Sequence, residues 1–495
     1  MTYVGGSVPT AVRTLKWRAS SRLLHGGIAA LALVVATVSI GTPSLWGDEV
    51  ATALSATRSL PSLLGVLTRV DAVHGLYYVF MHGWVLVFGT SPTALRLPSA
   101  LAVAATAYVL ARLCTRLDRP VLGCVAASVF ALLPRTMYMA GEARGYALAT
   151  LVVTCSVLVG FTLLRDGGPR RTRFLWAGLV ALQTYLFLYS VIVLPAILVA
   201  ALVTRGEEPA RRIAEWCRWS GIGLLTALPV IAFALGQHDQ ISFLRNQALT
   251  AEKLLISQWF ITAPVSAVAG ICVAAAFVSA LRRGRPIAAP FALAVAWSLI
   301  PPLLLLLANL VAPLYSVRYM SMTEPAIALL IALGITSFRQ RLIALLLALA
   351  LVAACVPADV AQRAPFAKDS GSDWAAVARY VEKHGRRGDA VVFNEKVNNA
   401  RNPRLAMRAY PDAFTKLADP TLKRPYWQAS GLRDETDSIA DAGRSILHHQ
   451  RVWLISFGDG HESAAGTALR RLNYAETERH SIYRDVIYLY KRSNT

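Results

Sequence analysis

The sequence predicts a polytopic α-helical membrane protein, with about eleven transmembrane helices plus interfacial helices and a C-terminal extracytoplasmic α/β domain. Three observations predict it. Apolar residues make up 55% of the 495 positions and charged residues 16%, with a mean hydropathy of +0.47, whereas soluble domains carry about 25% charged residues. The composition changes at Pro357: residues 1–357 hold 28 Lys and Arg against 12 Asp and Glu, and residues 358–495 hold 22 against 17. Finally, 42 of the 50 basic residues are Arg, and many of them punctuate long apolar runs. That spacing makes the net charge of +21 a signature of topology and argues against a nucleic-acid partner.

Crossing the hydrocarbon layer takes about 20 apolar residues. The candidate spans, in order, are 23–43, 93–113, 120–137, 145–164, 174–188, 190–204, 219–236, 261–281, 287–310, 322–338 and 342–357. Residues 1–22 are expected to form a basic tail ahead of an uncleaved first span. The stretch 174–204 is too long for one span, and the split is placed at Phe187–Ser190 between two arginine-bearing ends. The apolar run 73–90, with His74, His82 and two tyrosines, is expected to lie flat at the interface. The loops then alternate in charge. One side collects 20 basic and 5 acidic residues, the other 8 and 7. Because cytoplasmic loops are enriched in Lys and Arg, the N-terminus is expected inside and the C-terminus outside the plasma membrane.

This map divides the chain into a cytoplasmic tail (1–22), a transmembrane catalytic domain (23–357) whose first external loop spans 44–92, and an extracytoplasmic domain (358–495). In the last, periodicity predicts a helix near Ser372–His384, strands at Ala390–Phe393 and Val452–Ile455, a helix at Glu462–Leu472 and a strand at Ile482–Tyr490. The six cysteines all precede it without a CxxC pair, which argues against a disulfide framework or zinc site.

Three clusters carry candidate chemistry, all on the predicted outer side. The first loop opens with Trp46-Gly47-Asp48-Glu49 and runs on to Asp71-Ala72-Val73-His74-Gly75-Leu76-Tyr77-Tyr78. Carboxylates held at a membrane boundary are default candidates for function, although Asp48 read alone is an ordinary helix cap. The second cluster is Glu142-Ala143-Arg144-Gly145-Tyr146, where Glu142 and Arg144 read alone are a surface ion pair. The third is Tyr315-Ser316-Val317-Arg318-Tyr319, where Arg318 read alone is a snorkelling arginine. Their convergence on one face favours a site.

The acidic pair after the first helix, the Asp-x-x-His-x-x-x-Tyr stretch, Arg-Leu-Pro-Ser-Ala (96–100), Glu-Ala-Arg-Gly-Tyr-Ala-Leu (142–148) and the late Arg318-Tyr319 resemble the C-type glycosyltransferase (GT-C) superfamily. The similar branch holds protein O-mannosyltransferases, lipid A aminoarabinose transferases and actinobacterial envelope mannosyl- and arabinosyltransferases. The resemblance covers the first five spans and the tenth, and hardly touches the C-terminal domain. It implies a GT-C transferase that takes a sugar from a polyprenyl-phosphate donor to a hydroxyl acceptor in the envelope. Asp48 matches the first acid of the pair and takes the general-base role; Glu49 matches the second and orients it or touches the acceptor. Where the family often reads His-Pro-Pro-Leu-Tyr-Tyr, both prolines are missing here.

Donor phosphate and sugar are expected at Arg318, Tyr319, Arg144, Glu142, His74, Asp71, Arg58 and Tyr77, with Arg favoured because its fork matches phosphate oxygens. No cofactor and no obligatory metal are expected, since the first loop lacks Asp-x-Asp. Tyr77, Tyr78, Trp84 and Phe88 form an expected platform for the lipid, or a plain aromatic belt among membrane lipids. The loop Gln237–Phe260, with His238, Asp239 and Trp259, is an expected lid or a mere connector. In the tail, His448-His449 and His461 lack metal-ligand spacing, and Asn394, Asn398, Asn399 and Asn402 with Tyr410 and Trp427 form a sugar-contacting surface or decorate turns. Mannose is the first expectation for the sugar and arabinofuranose the second. A lipid-linked sugar transporter or flippase, and a noncatalytic envelope scaffold, are the rival readings.

Overall fold

The computed structural model describes residues 10–204, 209–237, 240, 244–245, 248–284, 287–458 and 463–493. The chain begins with α1 (Thr10–Thr37), which starts inside the basic tail. Three helices of the first loop follow: α2 (Gly47–Ala56), α3 (Leu60–Leu67) and α4 (Gly75–Phe88). Ser91 then caps α5 (Pro92–Arg116) by accepting from the Ala94 amide at 3.2 Å, with Pro92 preset at the first helical position. Next come α6 (Pro120–Leu132), α7 (Pro134–Ala140), α8 (Tyr146–Asp166), α9 (Arg170–Leu186) and α10 (Val193–Thr204). The bundle is completed by α11 (Pro209–Thr226), α12 (Leu228–Gly236), α13 (Ala263–Arg283), α14 (Ala289–Asn309), α15 (Glu324–Ile335) and α16 (Arg341–Ala361).

Small residues hold the bundle together. The Ala-rich faces of α5 let α1, α6 and α8 pack on it, and α15 lies against α6, α13 and α14. Gly334 is required where α15 meets α13, because a Cβ there would occupy the space of the Cys272 carbonyl. Lipid supplies no hydrophobic drive between helices, so close backbone approach has to supply van der Waals contact instead.

Each of the eleven predicted spans coincides with a helix or a bent helix pair, but they differ in reach. Among the described residues, five helices are long and apolar enough to cross a membrane, and up to seven if each bent pair counts as one span. The bends, 65° between α6 and α7 and 55° between α11 and α12, fall where Pro134 and Pro229 open the second helix of each pair. The predicted break at 187–190 is present: α9 ends at Leu186, and a 3₁₀ turn at Leu188–Ile192 leads into α10. The run 73–90 forms a short helix, as predicted, preceded by a 3₁₀ turn at Ala72–His74.

The C-terminal domain is built from α17 (Trp374–His384), β1 (Ala390–Phe393), α18 (Arg404–Ala409), β2 (Leu422–Arg424), β3 (Glu435–Thr436), α19 (Gly443–Ile446), β4 (Arg451–Phe457), α20 (Ala464–Arg471), β5 (Tyr474–Ser481) and β6 (Asp485–Arg492). The sheet order is β1-β4-β6-β5, with β1 parallel to β4 and the other pairs antiparallel. Alternation sorts its side chains. Val392, Val452, Leu454, Tyr488 and Tyr490 pack with α19 and α20, while Val391, Phe393, Trp453, Ile455, Ile487 and Leu489 face α17 and share one core with residues of α2, α3 and α4. First loop and C-terminal domain are thereby one packing unit, although about 300 residues of sequence lie between them. The predicted helices and strands of this domain are present. β5 and the β2–β3 hairpin were not predicted. The predicted start of α20 at Glu462 lies, with His461, outside the described residues.

Candidate functional site

The packing of the C-terminal domain against α2 encloses a cavity of about 1110 Å³. Its floor is the start of α2. Trp46 precedes the helix in extended conformation without a side-chain cap, so Asp48 sits in the first turn and does not cap it. Gly47 is fixed by contact: a Cβ there would overlap the carbonyl of Ala400 in the C-terminal domain. The loop 397–401 is therefore seated directly beside Asp48.

The Asp48 carboxylate accepts from Arg318 Nη1 at 2.9 Å and is about one-quarter exposed, toward the cavity. Burial pushes its pKa up, but the guanidiniums of Arg144 and Arg318 and the Arg318 hydrogen bond prevail and hold it below the usual carboxylate value. Arg318 Nη1 also reaches Glu142 Oε1 at 3.3 Å, and the guanidinium lies over the rings of Trp46 (4.9 Å) and Tyr146 (6.0 Å). Glu142 is buried behind Arg318 and does not line the cavity; burial raises its pKa against the opposing pull of Arg318 and Lys368. Tyr319 stacks on Tyr189 at 5.1 Å, and with Tyr146 and Phe187 these rings form an aromatic wall.

A second network holds Arg144. Its Nη2 donates to His74 Nε2 at 2.8 Å and its Nη1 to Tyr78 Oη at 3.0 Å; Tyr78 in turn donates to Asp71 Oδ2 at 2.8 Å. Because a guanidinium only donates, His74 Nε2 must be the acceptor and the ring is neutral, protonated on Nδ1. Burial first, and then Arg144, lower its pKa to about 4. Asp71 adopts a left-handed backbone (φ 58°), which aspartate tolerates. Its amide donates to Gln240 Oε1, and that of Ala72 to Gln237 Oε1, both at 3.0 Å.

Six of the expected site residues therefore line one cavity: Asp48, Asp71, His74, Arg144, Arg318 and Tyr319. Four do not. Glu49 is fully buried in a two-pronged pair with Arg96 (2.6 and 2.7 Å) and accepts from the Ala143 amide at 2.9 Å, so it faces the bundle and cannot touch an acceptor. Glu142 lies one layer behind the cavity. Arg58 is buried against the C-terminal domain, donating to the carbonyls of Ala429 (3.3 Å) and Gly431 (2.5 Å). Tyr77 is completely buried beneath Gly145, and Tyr78 is equally buried, so neither ring is a lipid platform. Trp84 and Phe88 stack on one another at 4.1 Å, with Phe88 exposed.

Gln237 and Gln240 from the expected lid line the cavity, whereas Trp259 donates to Thr323 Oγ1 at 2.9 Å, and His238 and Asp239 lie outside the described residues. Asn398 and Asn399 line it too. Asn394 bonds Ser456, Asn402 bonds Glu395, and Tyr410 accepts from the Leu45 amide, all as structural contacts. Phe187, Tyr189, Asp369, Arg401 and Arg433 also line the cavity and were not singled out in sequence. Among the described residues, no cluster of three or more His, Cys, Asp or Glu side chains is placed to hold a metal ion.

A helical bundle, a first loop bearing short helices, and a small mixed-sheet domain closing over a cavity make up a fold that solved structures share. Two solved structures of ArnT from Cupriavidus metallidurans share it at 13% identity, over 93% of this chain and 97% of that chain. The apo form gives a TM-score of 0.57 and the form bound to undecaprenyl phosphate 0.60. The archaeal oligosaccharyltransferase AglB from Archaeoglobus fulgidus, in complex with an inhibitory peptide and a dolichol-phosphate, is similar at 10% identity over 95% of this chain and 74% of that chain, with a TM-score of 0.50. No protein-family model matches the sequence, and neither does any curated protein.

Proposed function

We propose that the chain is a multi-pass membrane glycosyltransferase that moves a sugar from a polyprenyl-phosphate donor to a hydroxyl acceptor of the cell envelope. The observation that carries this reading is the convergence of one ionised carboxylate, Asp48, with two arginines, Arg144 and Arg318, in a cavity walled by aromatic rings. Undecaprenyl phosphate in the similar ArnT structure supports the donor class. Asp48 takes the proton of the acceptor hydroxyl as its oxygen attacks the anomeric carbon. The bond from that carbon to the phosphate oxygen breaks, and the electron pair leaves with the phosphate onto Arg144 and Arg318. In-line attack inverts the centre, so a β-linked donor yields an α-linked product.

The ion pair between Asp48 and Arg318 couples the two halves of this chemistry. While Arg318 bonds Asp48, the carboxylate is a poor base. A donor phosphate competes for the same guanidinium, and Asp48 regains basicity only when the donor is in place. Two arginines already supply the positive charge that the leaving group needs, so no divalent cation takes part; EDTA is expected to leave the rate unchanged. Mannose is the proposed sugar, with arabinofuranose the alternative, and transfer takes place on the extracytoplasmic face.

The test is to incubate purified protein with polyprenyl-phosphate mannose, polyprenyl-phosphate arabinofuranose and other polyprenyl-phosphate sugars, together with envelope glycolipid, and to follow release of the polyprenyl phosphate. Turnover with one donor, lost in Asp48→Asn, is expected. No turnover with any donor, or a fully active Asp48→Asn, removes the reading.

A further inference from the structure

The GT-C reading uses two arginines of the membrane domain. A third, Arg433, enters the same cavity from the C-terminal domain and has no assigned partner. It is partly buried, and among the described residues it makes no hydrogen bond and no ion pair. Burial lowers its pKa, while Asp71 and Asp48 act on it only through space. A guanidinium that lines a cavity with no side-chain or backbone partner among the described residues has its donors free for an anion there.

The backbone around it is held on both sides. Arg58 of the membrane domain donates to the carbonyls of Ala429 and Gly431, Ser62 to that of Trp427 at 3.0 Å, and the hydroxyls of Thr57 and Tyr426 bond at 2.8 Å. On the far side, Asp434 takes Arg408 Nε at 2.7 Å and the Tyr426 amide at 2.8 Å. Arg433 is thus delivered to the cavity by a clamped segment, and Arg58, which does not reach the cavity itself, is one of the clamps.

We infer that Arg433 is a third ligand of the phosphoryl group of the polyprenyl carrier, so that the C-terminal domain completes the donor site. This rests on the polyprenyl-phosphate reading above. Arg suits the task because its fork presents parallel donors to phosphate oxygens.

Binding of undecaprenyl phosphate, undecaprenol and inorganic phosphate to the purified full-length chain in detergent tests it, with Arg433→Ala, Arg433→Lys and, as a control on the same domain's exposed surface, Arg387→Ala. For Arg433→Ala the Kd of undecaprenyl phosphate is expected to rise about tenfold or more, the usual scale of a lost charged hydrogen bond. Arg433→Lys recovers part of the affinity, Arg387→Ala matches wild type, and undecaprenol is indifferent to all three. Unchanged undecaprenyl-phosphate binding in Arg433→Ala, with thermal unfolding as in wild type, overturns this inference and leaves the donor reading standing. Arg433-dependent binding of inorganic phosphate alone overturns the lipid-borne ligand. A wild-type chain that binds no undecaprenyl phosphate overturns the donor reading itself.

Discussion

At Asp48 two effects of opposite sign meet: burial disfavours the carboxylate, while two guanidiniums favour it, and the charges win. His74 has the reverse balance, since burial and Arg144 both disfavour its cation, and its pKa falls to about 4. The signs fix the pH dependence. A carboxyl held below its unfolded value of about 3.9 stays ionised throughout the neutral range, and its contribution to stability is lost only as pH falls below that value. A histidine depressed from about 6.5 is neutral above pH 5; its contribution is complete above 6.5 and declines as pH falls toward 4. The free-enzyme profile of kcat/KM is therefore expected to be flat from about pH 5 to 7, without the inflection near 6.5 that an ordinary histidine gives. A limb centred there would show that His74 titrates and that its bond from Arg144 is misassigned. Asp48→Asn is expected to lower kcat by about 10²- to 10⁴-fold, the usual range for a general base, while undecaprenyl-phosphate binding persists.

The α2 helix presents its two acids to opposite surroundings. Asp48 faces the cavity, and the next residue, Glu49, is turned by one helical step into the bundle, where Arg96 meets both of its oxygens. The sequence places them side by side as an acidic pair, and adjacency alone cannot say which is the structural one. Arg96 was visible only as part of Arg-Leu-Pro-Ser-Ala, with no sign that it is the partner. Breaking a buried pair from one side leaves a bare charge and costs about 3–5 kcal/mol, so Glu49→Gln is expected to lower the melting temperature sharply. A Glu49→Gln protein that melts like wild type yet has lost turnover would place Glu49 in the chemistry instead. The other tightly packed point of α2 is Gly47. Gly47→Ala must displace the Ala400 carbonyl and with it the loop carrying Asn398 and Asn399. Transfer is expected to fall while undecaprenyl-phosphate binding, made by arginines elsewhere, stays within a few-fold. An equally active Gly47→Ala would mean that this loop plays no part in turnover.

Over the whole molecule, legibility follows the physics of each element. Apolar runs and arginine punctuation made the bundle readable, and short continuous apolar runs made β1, β4 and β6 readable because both faces of those strands are buried. β5 escaped notice because Tyr-Ala-Glu-Thr-Glu-Arg-His-Ser is an edge strand: Tyr474 is its only buried residue, and charge on an edge guards against further pairing. Arg433, Arg401 and Asp369 escaped because their positions depend on how the C-terminal sheet docks on α2, a contact spanning some 300 residues that no local spacing reports. That docking also makes orientation testable. The excess of arginine on one set of loops predicts that Cys217, exposed on α11 within the arginine-rich sequence 205–218, is cytoplasmic and the C-terminal domain on the opposite side. A membrane-impermeant maleimide should label Arg387→Cys, on an exposed turn of that domain, in intact cells, and Cys217 only after permeabilisation. The reverse pattern would put the Asp48 cavity on the cytoplasmic face, because Gly47, Leu45 and Arg58 bind the domain to α2 too closely for the two to lie on different sides.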